Sequence, residues 1–143
     1  TGAKVVTNEK SKQHVKPARH WYAVELPPLS ADPPKEQLSD EQISIKFEHA
    51  KTLLKSENSL YAANPSGRSS SDRTFYATMI KSGTMKDRLS TLSVLVDESP
   101  IHSVHAFETL LNMAKKKSRN EAVQAVENLV NLMLESVLPD RKL

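Results

Sequence analysis

The chain has 143 residues, of which 38% are hydrophobic, 5% are aromatic and 26% are charged, and it contains no cysteine. This length suits one modest domain, whose core must be aliphatic because aromatic residues are few. The lack of cysteine excludes disulfide frameworks and cysteine zinc sites. No apolar run approaches the roughly 20 residues that cross a bilayer, and no signal-peptide segment opens the chain. We therefore expect a soluble, intracellular protein that contacts no membrane.

The positive charge lies at the start of the chain. The formal net charge is +3, but residues 1–20 alone carry five basic residues against one acidic residue, a net +4. The remaining 123 residues carry 15 basic and 16 acidic side chains, a net −1. A basic arm is typical of nucleic-acid or acidic-partner contacts, although a solvated tail explains the charge equally well. The candidate RNA-binding residues of this arm are Lys4, Lys10, Lys12, Lys16 and Arg19.

Residues 1–38 are predicted to be an extended, proline-rich arm, because they hold five of the eight prolines and show no helical periodicity. Within the arm, the segment HWYAVELPPL at residues 20–29 is too apolar for a purely solvated linker. We expect this segment to dock on the helices of its own chain or on a partner, with the tryptophan as a buried anchor. The candidate docking residues are Trp21, Tyr22, Val24, Leu26 and Leu29.

Residues 39–63 contain the first predicted helix. Ser39 and Gln42 fit a capping box, and the helix is expected to run from Asp40 to about Ser56. Its apolar residues recur at the spacing of one helical face: Ile43, Phe47, Ala50 and Leu54.

A loop and a group of helices follow. Residues 64–71, NPSGRSSS, have the composition of a flexible surface loop and lack the GxxxxGK[ST] pattern of a phosphate loop. Residues 72–143 are predicted to form consecutive helices with an aliphatic core. Their start and stop signals are Gly83, Thr84 with Asp87, Ser99 before Pro100, Ser118 with Glu121 as a capping box, and Pro139.

The last predicted helix has little polar surface. Its polar residues form one narrow stripe: Gln124, Glu127, Asn128, Asn131 and Glu135. A helix of this kind is contacted on two sides, so we expect the helical domain to continue beyond residue 143. The helix starts at Thr84 and Ser118 lie about one repeat period apart, as in stacked helical hairpins of HEAT or armadillo type. The predicted fold is therefore all-α, the start of a solenoid preceded by an extended basic arm.

The segment AKKKSRNE, residues 114–121, places four positive charges between the last two helices. Lysines there complement the negative end of the preceding helix, by about 0.3–1 kcal/mol per charge. Alternatively, the cluster is a phosphate clamp on RNA, to which an arginine adds a bidentate donor. Both interpretations stay open from the residues alone. The candidate RNA-binding residues of this turn are Lys115, Lys116, Lys117 and Arg119.

The sequence offers no recognisable catalytic chemistry. His102 and His105 lie three residues apart, but no carboxylate or third histidine is placed in the sequence to complete a metal site. No serine has a discernible partner base. We therefore expect no enzyme activity, no catalytic residue, no metal or cofactor and no small-molecule substrate.

Several short motifs match the signatures of one known family. They are SGTMKDRLS, SPIH, AFETLL and LPDRKL, at Ser82–Ser90, Ser99–His102, Ala106–Leu111 and Leu138–Leu143. Together with HWYAVELPPL upstream, they resemble the conserved region of the CBF/Mak (CCAAT-binding factor-like) nucleolar complex proteins. The similarity covers roughly Trp21 to Leu143 and is strongest after Met79. These motifs are structural and mark no active site.

The resemblance implies a helical-repeat scaffold of the nucleus and nucleolus that acts in ribosome biogenesis and rRNA processing. Family members mature early large-subunit (pre-60S) precursors as a heterodimer with a second, related nucleolar complex protein, on precursor rRNA and with other assembly factors. The family also carries an older label as CCAAT-binding transcription factors, so a transcription-associated DNA-binding factor is the alternative. That alternative lacks a recognisable groove-reading motif here. The chain also departs from the family in length, because it stops where the repeat array should begin.

Overall fold

The computed structural model describes residues 13–25, 37–63 and 68–141, and within these ranges the regular structure is entirely helical. The α-helices are α1 (Asp40–Ala63), α2 (Ser70–Ser82), α3 (Met85–Glu98), α4 (Val104–Ala114) and α5 (Arg119–Leu132). Shorter turns complete the fold: the 3₁₀ turns Trp21–Ala23 and Ile101–Ser103, and a π turn, Met133–Val137, that continues α5. None of the described helices is long and apolar enough to cross a membrane. The all-α class is confirmed for this part of the chain.

Three helices start with reciprocal side-chain to backbone hydrogen bonds. The predicted pairs form: Ser39 with Gln42 before α1, and Thr84 with Asp87 before α3. A third capping box, Ser69 with Asp72, was not predicted, and it starts α2 at Ser70, inside the segment expected to be loop. Each box satisfies N–H groups that the first helical turn leaves without partners.

The predicted capping box of the last helix is wrong. Ser118 precedes α5, but its side chain makes no capping hydrogen bond. The Glu121 carboxylate instead lies 3.0 Å from the ammonium group of Lys116. The Lys116 ammonium group competes for this carboxylate, and its charge attracts the carboxylate more strongly than the neutral backbone N–H of Ser118 does.

Helix α1 is longer than its periodicity suggested, and it ends at Ala63 rather than near Ser56. The last turns carry the only buried residues of this helix, Glu57 and Tyr61. Gly83 ends α2 as predicted, but its backbone is extended rather than left-handed. Glycine is required there because a Cβ atom would lie 2.5 Å from the carbonyl oxygen of Met79.

The core lies between α3, α4 and α5. These three helices pack against one another, and the Ser93 hydroxyl of α3 donates to the side-chain carbonyl of Asn128 in α5 at 3.2 Å. Leu110, at the centre of α4, has no exposed surface. The core is aliphatic, as the composition predicted, with each helix contributing apolar residues one turn apart: Leu89, Leu92, Val96, Ala106, Leu110, Met113, Ala125, Leu129 and Leu132.

Only one of the two apolar sides of α5 is buried in this structure. The second side runs the length of the helix and remains 45% to 75% exposed, at Val123, Val126, Val130 and Leu134. The expected contact on this second side stays a prediction. The helix ends in the π turn before Pro139, where the fully buried Ser136 donates its hydroxyl to the Leu132 carbonyl.

Replacing Thr84 by Ala is expected to lower the free energy of unfolding by about 1 kcal/mol, because it removes the N-cap of α3. A denaturant titration followed by circular dichroism measures this change. Thr78→Ala is the matched control, since Thr78 is an exposed threonine inside α2 that bonds only to the Thr74 carbonyl. Equal stability of Thr84→Ala and the control would show that the cap contributes nothing.

Candidate functional site

A buried polar network connects α1, the 3₁₀ turn Ile101–Ser103 and the N-terminal arm. The Glu57 carboxylate, 5% exposed, accepts a hydrogen bond from the backbone N–H of His14. Its other oxygen lies 3.3 Å from Nε2 of His102. The Nδ1 atom of His102 is 2.8 Å from the hydroxyl of Ser99, and its ring lies against Tyr61 with centroids 4.9 Å apart. Three separate chain segments therefore meet at one carboxylate.

Hydrogen bonds keep the Glu57 carboxylate ionised in spite of its burial. Burial by itself raises the pKa of Glu57. The backbone N–H of His14, the His102 side chain and the backbone N–H of Val15 together outweigh burial and hold the pKa below its ordinary value. The ionised carboxylate is thus the stable form at neutral pH.

The order Ser99, His102, Glu57 is that of a serine hydrolase triad, and it corrects the expectation that no serine has a base as partner. The hydroxyl that would attack a substrate belongs to a residue only 1% exposed. A nucleophile must contact its substrate, and a substrate cannot reach the buried Ser99 hydroxyl in this structure. It acts instead as a structural connection, supported by the Asn58 side chain, which bonds to the Ile101 carbonyl and the Val104 N–H.

The described part of the arm docks on its own chain. Arg19 lies 3.0 Å from Asp97 at the end of α3 and 3.7 Å from Glu135 in the π turn. The indole N–H of Trp21 donates to the Val137 carbonyl at 2.8 Å. Arg19 and Trp21 therefore contact the helical part of their own chain. The docking of the whole segment 20–29 stays a prediction, since residues 26–29 lie outside the described residues.

Two details of the arm differ from prediction. Trp21 is 40% exposed rather than a buried anchor, because the contact is made by its indole N–H at the end of α5 and not by insertion between helices. Trp21–Ala23 forms a 3₁₀ turn within the arm that was predicted to be extended. The Tyr22 hydroxyl lies within hydrogen-bond distance of the His20 ring, and Val24 is half-buried. The remaining arm candidates lie outside the described residues: Lys4, Lys10, Lys12, Leu26 and Leu29.

The basic turn, Lys115–Arg119, joins α4 to α5 and is exposed throughout. Lys116 is neutralised by Glu121. Among the described residues, no carboxylate lies within ion-pair distance of Lys115, Lys117 or Arg119. Three cations of the turn are therefore available to an anionic partner, while Arg19 of the arm is engaged with two carboxylates.

The structure does not bring the two predicted basic regions together. Arg19 contacts the end of α3 and the π turn that follows α5, whereas the basic turn lies at the start of α5. The two regions are thus separated by the length of α5, roughly 20 Å at 1.5 Å per residue. A single phosphate group cannot contact both.

One cavity of about 360 Å³ lies between α1, α2, α3 and α4, lined mainly by apolar side chains such as Tyr61 and Leu92. The arginines at its edge are already engaged. Arg68 pairs with Glu98 and stacks over the Tyr76 ring at 4.4 Å, and Arg73 donates to a backbone carbonyl of α1. Few polar groups are free to orient a ligand in this cavity.

No protein-family model matches the chain. The chain is 39% identical to an uncharacterized protein of Schizosaccharomyces pombe over 99% of its own length and 17% of that protein. It is 34% identical to the ribosome biogenesis protein NOC1 of Chaetomium thermophilum over 96% of its length and 14% of that protein. It is 29% identical to the CCAAT/enhancer-binding protein zeta of Mus musculus over 94% of its length and 12% of that protein.

The chain therefore spans less than a fifth of the length of these relatives. The similarity extends over almost the whole chain, so it includes the arm as well as the helices. The chain is homologous to one segment of the proteins named ribosome biogenesis protein NOC1 and CCAAT/enhancer-binding protein zeta.

Proposed function

We propose that this chain is a scaffold segment of a ribosome biogenesis factor, which helps to assemble early large-subunit precursors by binding precursor rRNA and other assembly factors. The observation that carries the proposal is the 34% identity to the ribosome biogenesis protein NOC1 along 96% of the chain. The described residues form consecutive packed helices, and this architecture suits a protein that holds partners in position.

The RNA contact is assigned to the basic turn. Lys115, Lys117 and Arg119 are exposed and free of carboxylates among the described residues, so they can each approach a phosphate. Arg119 occupies the first position of α5, where Ser118 leaves the backbone N–H groups without a side-chain cap. N–H groups at a helix start add to the attraction of an anion. Contacts of this type bind the RNA backbone and do not read bases.

The arm contributes in a different way. Lys4, Lys10, Lys12 and Lys16 give the arm its net positive charge, and we expect this charge to attract RNA over a distance. Arg19 is a weaker candidate than the sequence suggested, because an RNA phosphate would have to displace Asp97 and Glu135.

The remaining elements of the proposal follow from the family resemblance. The chain works in the nucleolus, as part of a heterodimer with a second nucleolar complex protein, and it performs no enzymatic step. Copurification of the full-length protein with that partner and with pre-60S particles tests these elements. Recovery with chromatin instead of nucleolar particles would contradict them.

A DNA-binding role is the second candidate, and it is favoured by the name CCAAT/enhancer-binding protein zeta of the mouse and human relatives. Its weakness is the position of the free cations. They lie in a turn between helices, whereas sequence-specific DNA proteins place a helix or ribbon in the major groove. Competition between a CCAAT duplex and precursor rRNA separates the two candidates.

Replacing Lys115, Lys117 and Arg119 together by Glu is expected to weaken binding to large-subunit precursor rRNA about equally for unrelated RNA sequences. The slope of log K against log salt should flatten by roughly 2–3 units, since each lost phosphate contact contributes about 0.7–0.9. Filter binding or fluorescence anisotropy over a salt series measures the slope. Replacing Lys55, Lys81 and Lys86 by Glu is the matched control, because it changes the net charge equally at other exposed positions.

An equal change of slope in both variants would mean that only total charge matters, and it would remove the basic turn from the proposal. An unchanged slope in both would leave protein–protein contacts as the role of this segment. Displacement of the RNA by a CCAAT duplex, but not by a scrambled duplex, would favour the DNA-binding candidate.

A further inference from the structure

The first half of α1 presents an apolar surface that no described part of the chain covers. Every residue from 40 to 56 is exposed, including Ile43 at 51%, Phe47 at 60% and Leu54 at 42%. Ile43 and Phe47 are large apolar side chains, and leaving them in contact with water is unfavourable. A helix this exposed also gains little stability from its own hydrogen bonds. These residues indicate a surface that another molecule covers.

The spacing of these residues identifies the shape of that molecule. Ile43, Phe47, Ala50 and Leu54 are followed by Glu57 and Tyr61, so the intervals alternate as four, three, four, three and four residues. This is the heptad spacing of a coiled-coil seam, which is a narrow stripe that contacts one helix. The last two positions of the seam are already buried against this chain. The exposed positions therefore lie on the same helical face as the residues of α1 that pack against the rest of this chain.

The charges beside the exposed seam indicate which charge a partner helix should carry. Two of the four flanking positions that border a neighbouring helix hold lysines, Lys46 on one side and Lys51 on the other. The other two hold Ser44 and Leu53, so Lys46 and Lys51 are the charges at these positions. Lys51 also lies over the Phe47 ring at 4.4 Å and 2.8 Å from Glu48 of its own helix. In a parallel pair of two copies, Lys46 of one copy would face Lys51 of the other, and like charges there are repulsive. Carboxylates at the same positions of a partner would be attractive.

We propose that the exposed seam of α1, formed by Ile43, Phe47, Ala50 and Leu54, binds a single amphipathic α-helix of a partner protein. The partner helix has an apolar residue at every third and fourth position, and Asp or Glu at the positions that flank this stripe. This interface goes beyond the proposed RNA contact, and it lies on a different element from the basic turn. Failure of either proposal leaves the other intact.

The test uses the whole chain and two synthetic peptides, each of three heptads with Ile and Leu at the seam positions. One peptide carries Glu at all flanking positions and the other carries Lys. Fluorescence anisotropy is expected to show saturable binding of the Glu peptide and weaker binding of the Lys peptide. Phe47→Ser should weaken the Glu peptide on the order of 30-fold, as the loss of a central aromatic contact does. The matched control is Val130→Ser on α5, a residue with 49% exposure, which should leave the affinity unchanged.

Charge reversal distinguishes a specific seam from general attraction. Lys46→Glu combined with Lys51→Glu should weaken the Glu peptide about fivefold and strengthen the Lys peptide by a similar factor. The same reversal at Lys81 and Lys86 should do neither. Amide hydrogen exchange should show rapid exchange over residues 43–54 in the free chain and protection when the Glu peptide is added.

Four results would overturn the proposal. The first is equal affinity for the Glu and Lys peptides. The second and third are equal effects of the two charge reversals and equal effects of Phe47→Ser and Val130→Ser. The fourth is that the Glu peptide leaves amide exchange over residues 43–54 unchanged. Concentration-dependent dimerisation that Phe47→Ser abolishes would instead assign the seam to a second copy of this chain.

Discussion

Replacing Glu57 by Ala is expected to lower the free energy of unfolding by about 2–4 kcal/mol. The carboxylate accepts a hydrogen bond from the backbone N–H of His14 and lies within hydrogen-bond distance of Nε2 of His102. Its removal leaves this N–H and this ring nitrogen without the carboxylate as their partner. Because the arm meets the helices at this carboxylate, the amide of His14 should also lose its protection from hydrogen exchange. Denaturant titration and hydrogen exchange measure the two effects. Glu48→Ala, at an exposed position of the same helix, is the control.

The effect of Glu57→Ala should depend on pH in a defined direction. The pKa of Glu57 lies below its ordinary value of 4.5, so the folded state binds this proton less tightly than the unfolded state. The stabilisation is therefore complete above about pH 5 and is lost as the pH falls through the folded-state pKa. The difference in stability between the wild type and Glu57→Ala should shrink in that acid range. A constant difference down to about pH 3 would contradict the proposed ionised state.

Replacing Leu110 by Ala is expected to destabilise the chain by about 2–5 kcal/mol, because the side chain has no exposed surface and its loss leaves a cavity between α3, α4 and α5. Leu134→Ala is the matched control. That leucine is 75% exposed on the uncovered side of α5, so the same truncation should change the free energy of unfolding by less than about 0.5 kcal/mol. Thermal or denaturant unfolding of both variants measures the difference. Similar losses would mean that the second side of α5 is covered in solution.

Helix starts were predictable where the deciding contacts are local. The bonds between Thr84 and Asp87, and between Ser39 and Gln42, join residues three positions apart, so the sequence contains both partners side by side. The same rule would have identified Ser69 with Asp72, but the serine-rich composition of that segment favoured a loop. Ser118 with Glu121 followed the pattern and still failed, since Lys116 competes for the same carboxylate.

The candidate sites were predictable in composition but not in geometry. The sequence showed that the turn between α4 and α5 is basic. Only the structure shows that Lys116 pairs with Glu121, while no carboxylate of the described residues pairs with Lys115 or Lys117. Arg19 of the arm was a candidate to bind RNA, but in the structure its side chain forms ion pairs with Asp97 and Glu135. The Arg19 pairs join residues that lie far apart along the chain, so the sequence alone could not predict them.

The sequence by itself determined the all-α class, the aliphatic character of the core and the apolar stripe along α1, because helical periodicity and caps act over four residues or fewer. Only the tertiary structure decided which apolar faces are buried. Both sides of α5 are apolar, for example, but only one of them packs against α3 and α4. The tertiary structure also decided the network of Glu57 and His102, which are 45 residues apart and share no sequence pattern. A buried charge is stabilised by hydrogen-bond donors that surround it in the folded structure. Which donors these are depends on how the helices pack and not on their distance along the sequence.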